Sequence, residues 1–170
     1  MAKGKVVLKL GDDVSTDIIY PGRYMATVLP TETPQYAFMD ETGFNQALNA
    51  QQIPGGSFIV AGDNFGCGSS REQAASCIKG YELIVIARNF ARIFLQNSIN
   101  VGLQMIICPN IEAVEGHELE IRDGQVCNLT SGKSFTIEPL PQARQAIIDA
   151  GGLIPYTRRL MLERVAVEAQ

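Results

Sequence analysis

Histidine appears once in these 170 residues, at position 117, and cysteine four times, at 67, 77, 108 and 127, with no C-x-x-C pair among them. A Ser-His-Asp hydrolase would have to build its triad on His117 alone, which stands beside Gly116 ahead of a hairpin signal. The nucleophile elbow G-x-S-x-G is missing too, since the only candidate reads Gly68-Ser69-Ser70. The scattered cysteines read as reduced thiols in a cytoplasmic protein whose core needs no covalent staples. Nor is there a Lys/Arg cluster interleaved with aromatics. With 14 basic against 18 acidic residues the formal net charge is -4, which argues against a nucleic-acid partner. No apolar run approaches the length of a membrane span, and Val6 to Leu10, behind the charged Met1-Ala2-Lys3-Gly4-Lys5, is too short for a signal sequence. The 16 glycines and 8 prolines follow no period, which excludes collagen-like and low-complexity classes.

What is present is a core. Hydrophobic residues make up 46% of the chain and charged ones 19%, enough for one sizeable domain over 1–170 with nothing to suggest a second. Val6 to Leu10 reads as a first strand ending at the turn Gly11-Asp12-Asp13. From about 15 to 56 the pattern is irregular, broken by Pro21, Pro30, Pro34 and Pro54, with short helical turns expected at 35–39 and 43–48. A loop-rich segment of this length points to a substrate loop, expected to be mobile around Tyr24 to Thr31. The remainder alternates: strand 57–61, helix 70–79, strand 82–87, helix 90–98, strand 103–108. A hairpin over 119–129 turning at Asp123-Gly124, a strand at 134–138 and helices over 141–150 and 155–166 complete a mixed α/β domain.

The most informative stretch is Asn64-Phe65-Gly66-Cys67-Gly68-Ser69-Ser70-Arg71-Glu72-Gln73-Ala74. It joins an apolar β-branched run, 57–62, to a helical pattern with Ala74, Ala75, Cys77 and Ile78 on one face. Ser69 with Glu72 three residues later fits a capping box. Gly66 and Gly68 permit positive φ and a close approach of backbone to ligand. Free N–H groups and the positive end of the helix dipole would favour a carboxylate or phosphate there, with Arg71 as a bidentate donor. The dinucleotide and Walker patterns do not fit, because a third glycine and a lysine are missing at the required spacing.

That string closely resembles the signature of the aconitase superfamily's swivelling domain, in particular the separate small subunits of 3-isopropylmalate dehydratase and homoaconitase. The likeness extends to Gly11-Asp12-Asp13-Val14-Ser15-Thr16-Asp17-Ile18-Ile19 with Pro21-Gly22-Arg23-Tyr24, to Asn89-Phe90-Ala91-Arg92-Ile93-Phe94 with Asn97, Ile99, Asn100 and Gly102, and to Gly151-Gly152-Leu153. It thus covers nearly the whole chain, and it implies an α/β fold of the single-domain β/β/α swivelling type. It also implies a hydro-lyase that removes water from a hydroxy-dicarboxylate or tricarboxylate and returns it at the neighbouring carbon, active only with a separate large subunit. That large subunit would carry a four-iron four-sulfur cluster on three cysteines. No cofactor or metal is then expected in this chain, whose Cys67 could not hold a cluster alone.

Carried over by resemblance, Ser69 matches the catalytic base, and Ser70 and Arg71 match residues that bind substrate carboxylate. Asp17 matches an aspartate lining the site, expected to pair with groups of the other subunit. Thr16 reads as structural, and Arg92 and Asn97 as helix packing and capping. The specificity loop corresponds to Arg23, Tyr24, Met25, Ala26 and Thr27. Here the chain departs from the family, since an arginine is usual where Ala26 stands. Arg23 is the neighbouring candidate to replace it. Loss of that charge favours a less charged substrate: 3-isopropylmalate, in leucine biosynthesis, before homoaconitate or a methylated malate. A non-enzymatic module holding an anion at the glycine-rich turn is the reading from another class.

Overall fold

The computed structural model, which describes residues 2–168, is organised around β1 (Ala2–Lys9), the strand shared by two kinds of sheet. On one side β1 pairs in parallel with β2 (Phe58–Ala61), followed by β3 (Ile84–Ala87) and β4 (Met105–Ile107), also parallel. On the other it pairs antiparallel with β5 (Glu118–Arg122), then β6 (Gln125–Asn128) and β7 (Ser134–Thr136). The order is therefore β4-β3-β2-β1-β5-β6-β7. Just beyond β7 the Glu138 N–H donates to Ile107 O (2.8 Å), so the two edges meet and the sheet closes on itself.

Closing the sheet creates two cores, and strand periodicity allots residues between them. Phe58 and Val60 of β2 point into the closed side with Val6, Ile86, Leu119 and Val126. Ile59 and Ala61, one step out of phase, face the helices together with Val85 and Ala87. In β1 the pairing register slips between Val6 and Leu8. Such a bulge turns the next side chain over, and Leu8 accordingly lies in the helical core although Val6 lies in the other.

The helical layer is formed by α1 (Thr16–Ile19), α2 (Thr42–Asn49), α3 (Glu72–Gly80), α4 (Arg92–Val101), α5 (Gln142–Asp149) and α6 (Leu153–Glu168). The βαβ alternation, the hairpin at Asp123-Gly124 and both C-terminal helices fall where the patterning places them, with ends shifted by a few residues. The segment 15–56 is more ordered than its irregular pattern implies. It holds α1, α2 and two 3-10 turns, Gly22–Tyr24 and Thr33–Tyr36, and it sends Ile19, Tyr20, Ala37, Phe38 and Leu48 into the core. A fully buried side chain of this kind contributes about 1.5–3 kcal/mol, which ties these short helical pieces to the core.

Three connections, β1 to α1, β2 to α3 and β3 to α4, leave from the carboxyl ends of adjacent parallel strands. In open α/β sheets that is where ligands bind.

Candidate active site at the strand-to-helix turn

The turn between β2 and α3 is held from both sides. Gly66 N and Cys67 N donate to Val14 O (2.7 and 3.2 Å), Thr16 N donates to Cys67 O (2.8 Å), and Ala91 N donates to Phe65 O (2.9 Å). Asn64 bridges the flanking loops: its side chain donates to Asp13 Oδ1 (2.8 Å) and its N–H to Asn89 Oδ1 (2.7 Å). Gly66 has φ of +81°, and a Cβ there would lie 2.1 Å from Cγ of Phe94. That glycine serves close packing against an aromatic cluster in which Phe65 and Phe94 meet edge to face at 5.3 Å, not the approach of a ligand. At Gly68, with φ of +94°, such a Cβ would meet nothing closer than the Thr16 hydroxyl at 3.4 Å.

The capping box expected of Ser69 and Glu72 does not form. Helix α3 starts at Glu72 with Arg71 as its N-cap, and no side chain caps it. The Arg71 N–H turns back to Ser69 O (2.9 Å), and Ser69 stands two residues ahead of the N-cap, too far out to reach the first amides of the helix. The first N–H groups of a helix have no partner within it, and here no cap occupies them. Among the described residues the amides of Gly68, Ser69 and Ser70 also donate to nothing.

Ser69 and Ser70 are exposed at this turn. The Ser69 hydroxyl lies 3.2 Å from Oγ1 of Thr16, which also donates to Ser69 O at 3.2 Å. The Ser70 carbonyl accepts a hydrogen bond from Asn97 Nδ2 of α4 (3.2 Å), so Asn97 braces the turn as well as packing its helix. Arg71 turns inward, its side chain only 14% exposed. One amino group is paired with Asp17 Oδ1 and donates to Tyr20 O (3.3 Å), and its buried Nε has no partner. Asp17 pairs with Arg71 of its own chain and accepts the Gly22 N–H at 3.2 Å. The hydrogen bond from Arg71, more than any other influence, holds the Asp17 carboxyl below the usual carboxylate range. Four sequence-assigned residues, Asp17, Ser69, Ser70 and Arg71, thus meet at one place. Asp17 occupies the guanidinium on one side, leaving the other donors for a ligand.

The residues assigned by resemblance to the specificity loop, Arg23 to Thr27, follow Gly22, whose N–H donates to Asp17 of this ion pair. Arg23 is paired with Asp40 and lies over the Tyr24 ring, 4.9 Å from its centre. In this structure it is engaged locally, in an ion pair that is exposed on both sides. Tyr24 stacks on Tyr36 at 4.3 Å, and the buried Tyr20 donates to Tyr24 O and Thr27 O (3.1 and 3.3 Å). Met25, Ala26, Val28 and Leu29 face outward.

Among the described residues no three His, Cys, Asp or Glu side chains come together as metal ligands. Cys67 is the one thiol at the turn, and its Sγ sits against Asp13 O at 3.4 Å. Burial pushes the Cys77 and Cys108 thiols up, the latter to about 11, so neither is a ready ligand or nucleophile. The residues present do not fit an iron–sulfur cluster held by this chain alone. His117 lies beside β5, bonded to Asn128 at 2.9 Å, and takes no part in the turn. Residue-by-residue reading gave Thr16 and Asn97 structural parts and Asn64 no part of its own, whereas all three hold the turn through side-chain hydrogen bonds. Only the position of Thr16 next to Asp17 could have signalled it, because the contacts span up to 53 residues.

The aconitase C-terminal domain family matches residues 14–110, which include every residue of the turn. The small subunit of 3-isopropylmalate dehydratase from Methanosarcina acetivorans is 43% identical over 92% of this chain and 96% of its own length. The isopropylmalate/citramalate isomerase small subunit from Methanocaldococcus jannaschii is 43% identical over 95% of this chain and 96% of its own. The 2,3-dimethylmalate dehydratase small subunit from Eubacterium barkeri is 42% identical over 91% and 95%. The crystal structure of a 3-isopropylmalate dehydratase chain from M. jannaschii superposes with a TM-score of 0.85 at 38% identity, covering 97% of this chain and 98% of that one. With the fold, the turn and nearly the full length in agreement, the chain belongs to the aconitase C-terminal domain family, among the small subunits of the 3-isopropylmalate dehydratase type of hydro-lyase.

Proposed function

We propose that this chain supplies the base and a carboxylate clamp for the dehydration and rehydration of 3-isopropylmalate, with the iron–sulfur cluster held by the large subunit. A carbon next to a carboxylate is a weak acid, so the base must be strong and the developing charge stabilised. Ser69 is the base, used as an alkoxide. The turn supports this role, because the amides of Ser69 itself and of its neighbours Gly68 and Ser70 are free among the described residues and favour negative charge at that point. Those free amides are the observation on which the reading rests. A serine that capped the helix would have its oxygen already engaged. Arg71, oriented by Asp17 and Tyr20 O, offers its remaining donors to a substrate carboxylate, and Ser70 binds beside it. The substrate and the large subunit are the partners, no nucleic acid or membrane takes part, and the cytoplasm is the place of action.

The test is reconstitution with the large subunit and cluster. Ser69→Ala is expected to lower kcat on the order of 10²- to 10⁴-fold while subunit affinity and KM stay close to wild type. Arg71→Lys should raise KM and lower kcat together, since an ammonium cannot reproduce a bidentate contact. Near-normal turnover by Ser69→Ala would end the assignment of a base.

A second substrate reading is a methyl-substituted malate. It is favoured because relatives named for citramalate and 2,3-dimethylmalate resemble the chain as closely as those named for isopropylmalate alone. A panel of 3-isopropylmalate, citramalate, 2,3-dimethylmalate and homoaconitate, ranked by kcat/KM, decides among them.

A further inference from the structure

Thr16 has a geometry that a merely structural threonine would not need. Its side chain is buried, at 1% exposure, and its hydroxyl lies 3.2 Å from two oxygens of the same residue, the Ser69 carbonyl and the Ser69 hydroxyl. A threonine hydroxyl has one proton to give and lone pairs to receive with. The carbonyl can only accept. When Thr16 donates to it, the other contact must run from the Ser69 hydroxyl to Thr16, which parks the serine proton on the threonine oxygen. Once Ser69 has lost that proton, its oxygen becomes the stronger acceptor, because hydrogen bonds to ionised groups are shorter and roughly twice as strong. The Thr16 proton then belongs on Ser69 Oγ.

We infer that Thr16 is a positioning residue for the base, a hydroxyl that turns from the Ser69 carbonyl to the Ser69 oxygen as the latter becomes an alkoxide. The inference rests on the reading of Ser69 as the base. The local frame supports it. Thr16 is fixed as the first residue of α1, where Ser15 accepts the Ile18 N–H, and its own N–H is tied to Cys67 O at 2.8 Å. The threonine oxygen thus cannot drift, while a hydroxyl rotation costs little. Burial excludes water from competing for the Thr16 side chain, whereas the exposed Ser69 keeps its outer face for substrate.

The experiment compares Thr16→Val, Thr16→Ser, Ser69→Ala and the double variant Thr16→Val/Ser69→Ala in the reconstituted two-subunit enzyme, on whichever of 3-isopropylmalate, citramalate or 2,3-dimethylmalate the wild type turns over. Valine keeps the shape and removes the hydroxyl. Removing one donor to a developing oxyanion typically costs about 10²- to 10³-fold. This donor acts on the base and not on the substrate, so kcat is expected to fall on the order of 10- to 100-fold, with KM and subunit affinity unchanged. Thr16→Ser should restore most of the rate, and Thr16→Val should add nothing in the Ser69→Ala background. Full activity in Thr16→Val beside an inactive Ser69→Ala overturns the role of Thr16 alone. An active Ser69→Ala overturns the base and Thr16 with it. Equal defects in the valine and serine variants, or loss of subunit affinity in step with kcat, reduce Thr16 to a structural residue.

Discussion

Gly66 and Gly68 stand two positions apart in one turn, both with positive φ, and replacing each by alanine separates backbone strain from packing. For a residue with a Cβ the left-handed region costs about 1–2 kcal/mol. Restricting the unfolded chain returns about 0.4–1 kcal/mol. At Gly68 little else enters, because the new methyl would make only ordinary contacts, the nearest with the Thr16 hydroxyl at 3.4 Å. About 1 kcal/mol of lost stability is expected. At Gly66 the methyl would lie 2.1 to 2.6 Å from three atoms of Phe94. That ring is 1% exposed and caught between Phe65, at 5.3 Å, and Phe90, stacked at 6.3 Å, so it has nowhere to go. Overpacking adds about 1–3 kcal/mol, which brings the expected total to about 2–4 kcal/mol. That is a large part of the roughly 5–15 kcal/mol typical of a domain. Urea unfolding of the isolated chain measures both values. The aromatic clash has its own signature: Phe94→Ala, itself destabilising, removes the Cγ at 2.1 Å and the ring atom at 2.6 Å and should recover part of the loss when combined with Gly66→Ala, with a coupling of about 0.5–3 kcal/mol. Equal losses at both glycines, or additivity with Phe94→Ala, would refute the argument that Phe94 dictates the residue at 66.

Other outcomes follow from the ion pair, the loop and the thiols. Asp17 has its carboxyl pKa lowered by Arg71, so its contribution to stability is present above the unfolded pKa and is lost as pH falls through the folded one. Asp17→Asn should therefore lower the urea midpoint at neutral pH, with the difference from wild type closing in acid below the usual carboxylate range; a pH-independent difference would mean that the charge is irrelevant. Ala26→Arg should raise the kcat/KM ratio of homoaconitate to 3-isopropylmalate by adding a charge for the extra carboxylate. An unchanged ratio would move substrate selection to the large subunit. Anaerobic reconstitution of the isolated chain with iron and sulfide should yield no stoichiometric four-iron cluster, read from visible absorbance and iron content, and a full cluster would contradict the assignment to the large subunit.

Much of the fold and part of the site were legible in the residue order, and the reasons lie in the range of each interaction. The βαβ alternation, the Asp123-Gly124 hairpin and the glycine-rich turn are local patterns, and Ser69, Ser70 and Arg71 are neighbours within one of them, so sequence placed them without knowledge of the fold. Asp17 came from resemblance and not from periodicity. Its position by itself could not show that Arg71, 54 residues away, is its partner. Parallel pairing of β1 with β2 decides that, because it brings the two strand exits side by side. The same pairing lets Thr16 reach Ser69, and the following pair lets Asn97 and Asn89 brace the turn. Two local readings yielded to tertiary structure. The Ser69/Glu72 capping pattern gave way because Val14, Thr16 and Phe94 hold the turn so that α3 begins at Glu72. The loose segment 15–56 gained order because Tyr20 and Phe38 are drawn into the core. Sequence by itself determined which chemical groups this protein has and which of them are neighbours along the chain. Tertiary structure decided which groups face one another across the turn, since a contact between distant residues exists only once the sheet has set the strand register.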